Sequence, residues 1–323
     1  MTEDYFNLIG EINEIKRGLY TPKALHYKLV NAYCSTSGLS HELLNNYFNP
    51  LSIDLLNINL SNCMSVYLKL CRLGYLNGQT TFSFLDLLET YLETGYVVFP
   101  FLVSNHICTE IVASYVRSPE NVSSKTMPGN TDYRCSSIPF NGGALMYKTN
   151  ATNPILKSLH SYQCLTLFID ALCDFFACSR YKYILKQRSL VWSLPSKNSD
   201  ESLKSELAQL YHFDLDSLEW HKFFIYLNKV SNDNGPHQYI SGSHKPGSKC
   251  KELLAKGYSR HSRDDIISSM RNSQSEHVIT GPAGTIFLAN TKCWHRGLAP
   301  RNKHRILMSN VYCSHPVSMQ LAP

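Results

Sequence analysis

Apolar residues recur with two different periods along this chain of 323 residues, and the period changes near residue 90. Between residues 1 and 90 the spacing is helical, which predicts a helical N-terminal extension. Beyond it, runs rich in aromatic and β-branched residues predict strands. These runs lie at 95–101, 181–194, 223–227, 237–241, 285–289 and 306–312, with one long helix predicted at 155–178. The pattern therefore predicts a mainly β domain at 91–323 behind a helical extension at 1–90.

Local signals sharpen several boundaries. Ser83 is a capping residue for a helix over 84–94, and Gly95 follows it as a terminator. Ser61 is the corresponding cap for a helix over 62–73. The sequence NDNGP at 232–236 is the strongest turn signal of the chain. A second turn, GPAG at 281–284, separates two predicted strands.

Candidate chemistry begins at His212 and Asp214, which open the segment 211–245. Side chains two apart in a strand point to the same face, so these two project together while Phe213 points the other way. A third ligand is needed to hold a catalytic metal, and His295 offers it, 83 residues after His212. Two histidines and one carboxylate with open positions suit non-haem Fe(II). Arg305 adds a planar fork that binds a carboxylate at two points.

These motifs, taken in order, resemble the phytanoyl-CoA dioxygenase family. The resemblance rests on HFD at 212–214, NDNGP at 232–236, SGSHK at 241–245, WHRG at 294–297 and Arg305, and it extends over about 94–315. It implies a double-stranded β-helix, also called a jelly roll and cupin-like. It also implies an enzyme that uses Fe(II), O2 and 2-oxoglutarate as co-substrate.

The resemblance also implies roles for single residues. His212, Asp214 and His295 would hold the metal, and Arg305 would bind the far carboxylate of 2-oxoglutarate. Relatives often have a hydroxyl residue where this chain has Gly297, so Ser309 or Ser193 would supply that hydrogen bond. Two aromatic residues are further candidates to line the co-substrate pocket, although ordinary core packing explains them equally well: Phe224 and Trp192.

Substrate contacts are suggested at four positions. Lys148 matches a basic residue that in the family reaches toward the co-substrate or substrate, and Tyr147 is its neighbour. Arg260 and Arg263 lie in a basic segment that would anchor an anionic substrate. A solvated surface explains these basic residues as well.

Asp214 bears on the reaction, because halogenating relatives have Gly or Ala at the carboxylate ligand. Its presence favours hydroxylation of an unactivated C–H bond, or a related oxidation, with release of succinate and CO2. The expected substrate is a small molecule such as an amino acid or a natural-product intermediate. Two alternatives stay open: a metal-dependent β-barrel enzyme that does not use 2-oxoglutarate, and a catalytically idle scaffold or sensor.

Composition excludes several other classes. The net charge of +6 is modest and the basic residues form no long block, which argues against nucleic-acid binding. No apolar run approaches the ~18 residues that span a bilayer, and the N-terminus lacks a signal pattern, so we expect a cytoplasmic protein. The 11 cysteines contain no C-x-x-C pair, which argues against a zinc knuckle. A protein partner for the N-terminal helices remains open.

Overall fold

This computed structural model of the chain describes most of residues 53–313. The described ranges are 53–78, 81–116, 122–124, 143–149, 158–177, 184–195, 208–214, 220–245, 247–256, 260–270 and 274–313. Of the predicted N-terminal extension, residues 1–52 therefore lie outside the described residues, as does most of the polar segment at 118–137.

The described residues form six α-helices and eleven β-strands. The helices are α1 (Ile53–Arg72), α2 (Phe84–Thr94), α3 (Asn105–Val116), α4 (His160–Ala177), α5 (Lys251–Leu254) and α6 (Arg263–Ser269). The strands are β1 (Leu76–Gly78), β2 (Tyr96–Val103), β3 (Val122–Ser124), β4 (Gly143–Thr149), β5 (Ile184–Leu194), β6 (Trp220–Tyr226), β7 (His237–Ile240), β8 (Glu276–Ile279), β9 (Thr285–Ala289), β10 (His295–Gly297) and β11 (Arg305–Cys313).

The strands form two open antiparallel sheets. The large sheet has the order β1-β2-β9-β6-β11-β5-β4-β3, and the small sheet has the order β10-β7-β8. A bridge between His212 and His295 adds one more segment at the edge of the small sheet. From His212 onward the chain passes to β6 in the large sheet, β7 and β8 in the small one, then β9, β10 and β11 in alternate sheets. This winding confirms the predicted double-stranded β-helix.

Helices cover one face of the large sheet. Alternate residues of β6 and β11, such as Phe223 and Met308, point to this face and pack with α1 to α4. Phe223 stacks on Phe99 of β2 in the same sheet, with ring centroids 6.4 Å apart, and Phe99 meets Phe176 of α4 edge-on at 5.4 Å. We call this region the helix-side core; its members include Tyr67, Leu70, Phe84, Leu88, Ile107, Ile111, Phe168, Leu172, Phe223, Ile225, Ile306 and Met308.

The opposite face of the large sheet packs against the small sheet. We call this region the inter-sheet layer; its apolar members are Phe224, Tyr226, Val230, Tyr239, Ile279, Phe287, Ala289, Cys293 and Leu307. The outer face of the small sheet is covered in turn by α5 and α6, through Phe213, Trp294, Leu254, Ile266 and their neighbours. Three layers therefore enclose the segment that carries the predicted metal ligands.

Of the two predicted capping residues, Ser83 is confirmed and Ser61 is wrong. The Ser83 hydroxyl accepts the backbone N–H of Asp86, and Gly95 ends α2 with a φ of 85°. A side chain at Gly95 would also collide with the Cys293 thiol, so both the backbone and the available space require glycine there. The predicted start of the preceding helix at residue 62 is wrong, because α1 already begins by Ile53.

The described part of the N-terminal extension packs onto the rest of the fold. Tyr67 of α1 lies with its ring centroid 5.0 Å from that of Phe101 and 6.2 Å from that of Phe168. Strand β1 pairs with β2 at the edge of the large sheet. The predicted domain boundary at residue 90 therefore stays a prediction. No helix within the described residues is long and apolar enough to span a membrane.

Candidate active site

Strand alternation brings the three predicted metal ligands together. Phe213 points outward and meets Trp294 edge-on, with ring centroids 5.0 Å apart. His212 and Asp214 point inward, as the sequence predicted, and His212 bridges to His295 on β10. One potential ligand atom from each of His212, Asp214 and His295 lies within 4.8 Å of the others, and all three residues are buried.

Both imidazoles present the same nitrogen to this cluster. In His212, Nδ1 lies 2.9 Å from the Leu210 carbonyl oxygen, and in His295 it lies 2.9 Å from the Cys293 carbonyl oxygen. A carbonyl can only accept, so each Nδ1 carries the proton and each Nε2 keeps a free lone pair. The Asp214 carboxylate lies 3.8 Å from Nε2 of His212 and 3.4 Å from Nε2 of His295. The backbone thus fixes both rings in the tautomer that binds a metal.

Lys222 is a member of the site that the sequence did not predict. Its ammonium lies 2.8 Å from Oδ2 of Asp214. Burial acts to raise the pKa of Asp214, but the charge of Lys222 and then His295 outweigh it and hold that pKa well below its usual value. Burial and His295 likewise keep the pKa of His212 well below its usual value. The site therefore holds an ionised carboxylate beside a neutral His212, which suits a divalent cation.

Arg305 is buried with neutral partners. Its guanidinium donates to the Gly235 carbonyl and, over 3.2 Å, to the Ser193 hydroxyl, while Nε has no partner among the described residues. No described carboxylate lies within ion-pair distance of Arg305, which is only 6 % exposed. Burial lowers the pKa of Arg305, yet a guanidinium stays protonated in proteins. A buried cation without a counter-ion is costly, so this position calls for an anionic ligand.

Strand β10 connects the surroundings of Arg305 with the candidate metal cluster. Gly297 is two residues beyond His295 on β10, a distance of about 7 Å along a strand. A Cβ added at Gly297 would lie 3.1 Å from Nη2 of Arg305. Glycine therefore leaves room beside the guanidinium, on the side that leads to His295. The separation fits a short diacid that contacts the metal at one end and Arg305 at the other.

The predicted pocket residues divide between the two faces of the large sheet. Phe224 is paired with Ser309, on the face that carries Arg305, and its ring stacks with that of Phe287 at 5.0 Å. The Ser193 hydroxyl accepts a hydrogen bond from Arg305, and the predicted contact of Ser193 or Ser309 with the co-substrate stays a prediction. Trp192, the preceding residue of β5, lies on the opposite face against the helix-side core. The structure therefore groups Phe224 and Ser309 with Arg305 but separates Trp192 from it.

The predicted substrate residues lie on β4 and at or just before the start of α6. Tyr147 and Lys148 are on β4, where only the backbone is described and pairs with Leu190 and Ser189 of β5. Their contact with substrate stays a prediction. Arg263 forms a two-point ion pair with Glu276, through Nη2 to Oε2 at 2.6 Å and Nε to Oε1 at 3.0 Å.

Arg260 is exposed but acts on the metal cluster electrostatically. Its positive charge contributes to lowering the pKa of His212, after burial and the charge of His295. The location of Arg260 suits a role in attracting an anionic substrate, and that role stays a prediction.

His244, the histidine of the SGSHK motif, has a structural role. Its Nε2 lies 3.1 Å from the Leu92 carbonyl oxygen, and its Nδ1 lies 3.5 Å from the Cys293 thiol. Burial lowers its pKa to about 4. His244 therefore ties the small sheet to the end of α2 and is not one of the metal-binding cluster.

Comparison with known proteins finds a family model that matches part of the chain. Residues 157–306 match the model of the family described as phytanoyl-CoA dioxygenase (PhyH), a range that contains the metal cluster and Arg305. The match confirms the resemblance predicted from the motifs. A search of curated protein sequences finds no match.

Solved structures with a similar fold include SnoK, EctD and HygX. The chain is similar to the non-heme alpha-ketoglutarate-dependent carbocyclase SnoK from nogalamycin biosynthesis, at 16% identity, covering 73% of this chain and 86% of that chain with a TM-score of 0.47. EctD from S. alaskensis with 2-oxoglutarate and 5-hydroxyectoine gives 14% identity, 74% and 79% coverage, and a TM-score of 0.48. HygX from Streptomyces hygroscopicus with nickel and 2-oxoglutarate bound gives 15% identity, 72% and 87% coverage, and a TM-score of 0.45.

Proposed function

We propose that this chain, whose residues 157–306 match the phytanoyl-CoA dioxygenase (PhyH) family model, hydroxylates an unactivated C–H bond of a small molecule. The family uses Fe(II), 2-oxoglutarate and O2. Two features of the inter-sheet layer fit the first two: the cluster of His212, Asp214 and His295, and the buried Arg305. The proposed substrates are amino acids or natural-product intermediates.

The buried cation is the observation that carries this proposal. Three ligands on one side of a metal are common to several classes of enzyme, with and without an organic co-substrate. Arg305 separates these classes, because its guanidinium is buried, has only neutral partners among the described residues, and borders the space that Gly297 leaves. The distal carboxylate of 2-oxoglutarate would neutralise it.

Each residue then has a distinct task. His212, Asp214 and His295 would hold Fe(II), which with 2-oxoglutarate and O2 supplies the oxidising power for C–H hydroxylation while succinate and CO2 are released. The Leu210 and Cys293 carbonyls keep the two Nε2 atoms directed at the metal. Lys222 holds the second oxygen of Asp214, which leaves the first for coordination.

The apolar walls of the layer would keep water from the reacting atoms. Phe224 and Phe287 stack beside the co-substrate position, and Tyr239 stacks on His295 with ring centroids 5.5 Å apart. These rings restrict the His295 imidazole and exclude solvent, which strengthens the ionic contacts within the layer. Asp214 supports hydroxylation over halogenation, because its carboxylate fills the position that a halide would take.

Succinate formation tests the proposal. The purified full chain is incubated in air with Fe(II), 2-oxoglutarate and a panel of candidate small molecules. We expect substrate-stimulated succinate, with a product that has gained one oxygen atom. His212→Ala should abolish both signals, and the matched variant His106→Ala, an exposed histidine of α3, should keep them. Succinate formation that does not need iron, or that survives His212→Ala, would contradict the proposal.

A further inference from the structure

The imidazole of His237 is buried in the inter-sheet layer with an unused polar atom. Its side chain is 8 % exposed, and Nδ1 has no hydrogen-bond partner among the described residues. Aromatic rings surround it, with centroids at 4.9 Å for Phe224 and 5.5 Å for Phe287. Buried polar groups in folded proteins are almost always hydrogen-bonded, so this nitrogen calls for a partner from outside the chain.

The position of His237 identifies that partner. On the small sheet, His237 is directly opposite Gly297, just as Tyr239 is opposite His295. Side chains that face each other across antiparallel strands are immediate neighbours. Because Gly297 has no side chain, the space beside His237 is the same space that borders Nη2 of Arg305. Arg305 also donates to the carbonyl of Gly235, two residues before His237.

We propose that the His237 imidazole donates a hydrogen bond to the distal carboxylate of 2-oxoglutarate, beside Arg305. This inference rests on the proposed function and extends it to the part of the site that selects a dicarboxylate. Gly297 stands where relatives often have a hydroxyl residue, and His237 faces that position across the strand pair. His237 thus supplies from β7 the hydrogen bond that β10 does not offer.

The electrostatics of the layer suit a neutral donor. Burial and then the charge of Arg305 keep the pKa of His237 well below its usual value. A neutral imidazole carries one N–H, so it can donate to a carboxylate without placing a second positive charge next to the guanidinium. One charge and one directional hydrogen bond then recognise the same carboxylate.

Binding of two related acids to the Fe(II)-loaded protein tests this role. Anaerobic calorimetry measures the dissociation constants of 2-oxoglutarate and of 2-oxopentanoate, which has the same metal-binding end but no distal carboxylate. His237→Phe keeps an aromatic ring of similar size among Phe224 and Phe287, and it removes the donor. A hydrogen bond to a charged group is worth about tenfold or more in affinity, so 2-oxoglutarate should weaken by at least that factor. The affinity for 2-oxopentanoate should not change.

Two further variants control for the loss of any buried histidine. His237→Asn keeps a side-chain N–H and should regain most of the lost affinity for 2-oxoglutarate. His221→Phe removes a histidine from the helix side of the large sheet and should leave both dissociation constants unchanged. If His237→Phe does not fold, the comparison of His237→Asn with His237→Leu serves the same purpose.

The outcomes separate this inference from the proposed function. Unchanged affinity of His237→Phe for 2-oxoglutarate would overturn the inference alone, as would an equal loss for both acids. A wild-type protein that does not prefer 2-oxoglutarate to 2-oxopentanoate would overturn the proposed dicarboxylate site as well.

Discussion

The same strands build both faces of the large sheet, but the buried polar groups on the two faces have different surroundings. On the helix side, the titratable groups of the strands bond to the protein itself. His221 lies 2.8 Å from the Tyr91 hydroxyl, and Arg188 donates to Asn310 over 2.5 Å and to the Tyr162 hydroxyl over 3.1 Å. These contacts pair the charged groups of this face within the fold, while Nε1 of Trp192 and Nδ2 of Asn310 have no partner among the described residues.

On the inter-sheet side, several polar atoms have no protein partner. Nδ1 of His237, Nε of Arg305 and the Tyr239 hydroxyl are buried and unpaired among the described residues. The metal cluster lies in the same layer. Buried polar atoms without a described partner therefore occur on both faces, and the inter-sheet layer differs in that the metal cluster lies beside them.

The largest effect is expected from the metal cluster. Asp214→Ala removes one of three ligands and the carboxylate that Lys222 contacts, so succinate formation should fall to background. Asp264→Ala, at the exposed start of α6, is the matched control and should retain full activity. Substantial activity in Asp214→Ala would remove Asp214 from the ligand set.

Two buried arginines give the next comparison. Arg305→Gln should weaken 2-oxoglutarate about a hundredfold or more, the equivalent of ~3 kcal/mol for a broken buried ion pair. Its ligand-free form should be no less stable, because Nε of Arg305 has no described partner, whereas Arg188 is held by Asn310, the Tyr162 hydroxyl and the Tyr162 ring. Arg188→Gln should have the reverse effect, with lower stability and unchanged affinity. Calorimetry and urea denaturation measure the two quantities, and equal responses in both variants would contradict the distinction between the faces.

Adjacent phenylalanines of β6 sharpen the same comparison. Phe223 belongs to the helix-side core and Phe224 to the inter-sheet layer. Truncation of either ring to alanine should cost about 3–5 kcal/mol of unfolding free energy. Only Phe224→Ala should also weaken 2-oxoglutarate, since that ring stacks beside the co-substrate position. An equal loss of affinity in Phe223→Ala would mean that the two faces are not separable.

The smallest effect is the pH dependence of the unfolding free energy that arises from His221 on the helix side. Burial, and then the charge of Lys292, lowers the pKa of His221 to about 3, so the unfolded chain binds the proton more readily. Stability from this group is complete above pH ~6.5 and is lost as the pH falls toward 3, by at most about 1.4 kcal/mol per pH unit. His221→Gln should flatten the dependence of the unfolding free energy on pH between 6.5 and 4. An unchanged slope would contradict the burial of a neutral imidazole.

Local signals made part of the fold predictable from sequence. The alternation of His212, Phe213 and Asp214 fixed which two side chains share a face, because a strand has a period of two. Ser83 and Gly95 fixed both ends of α2, because their side-chain and backbone requirements are local. His295 and Arg305 followed from their order along the chain rather than from any local geometry.

Other features depend on pairing between distant strands. Trp192 was a candidate for the pocket, but the register of β5 with β11 places Ser193, not Trp192, opposite Arg305. When a strand has large residues on both faces, its composition does not show which residues point to which face. The place of His237 was not predictable either, since its neighbour Gly297 comes from β10. Lys222 was missed for the same reason, because only the folded chain brings it to Asp214.

The most direct test of the central claim is an anaerobic titration of the wild-type protein followed by visible absorption. Fe(II) is added first and 2-oxoglutarate second. The account predicts a charge-transfer band that appears only when both are present, is lost in Asp214→Ala, and needs more 2-oxoglutarate in Arg305→Gln. A wild-type protein that binds iron but develops no band at any concentration of 2-oxoglutarate would contradict it.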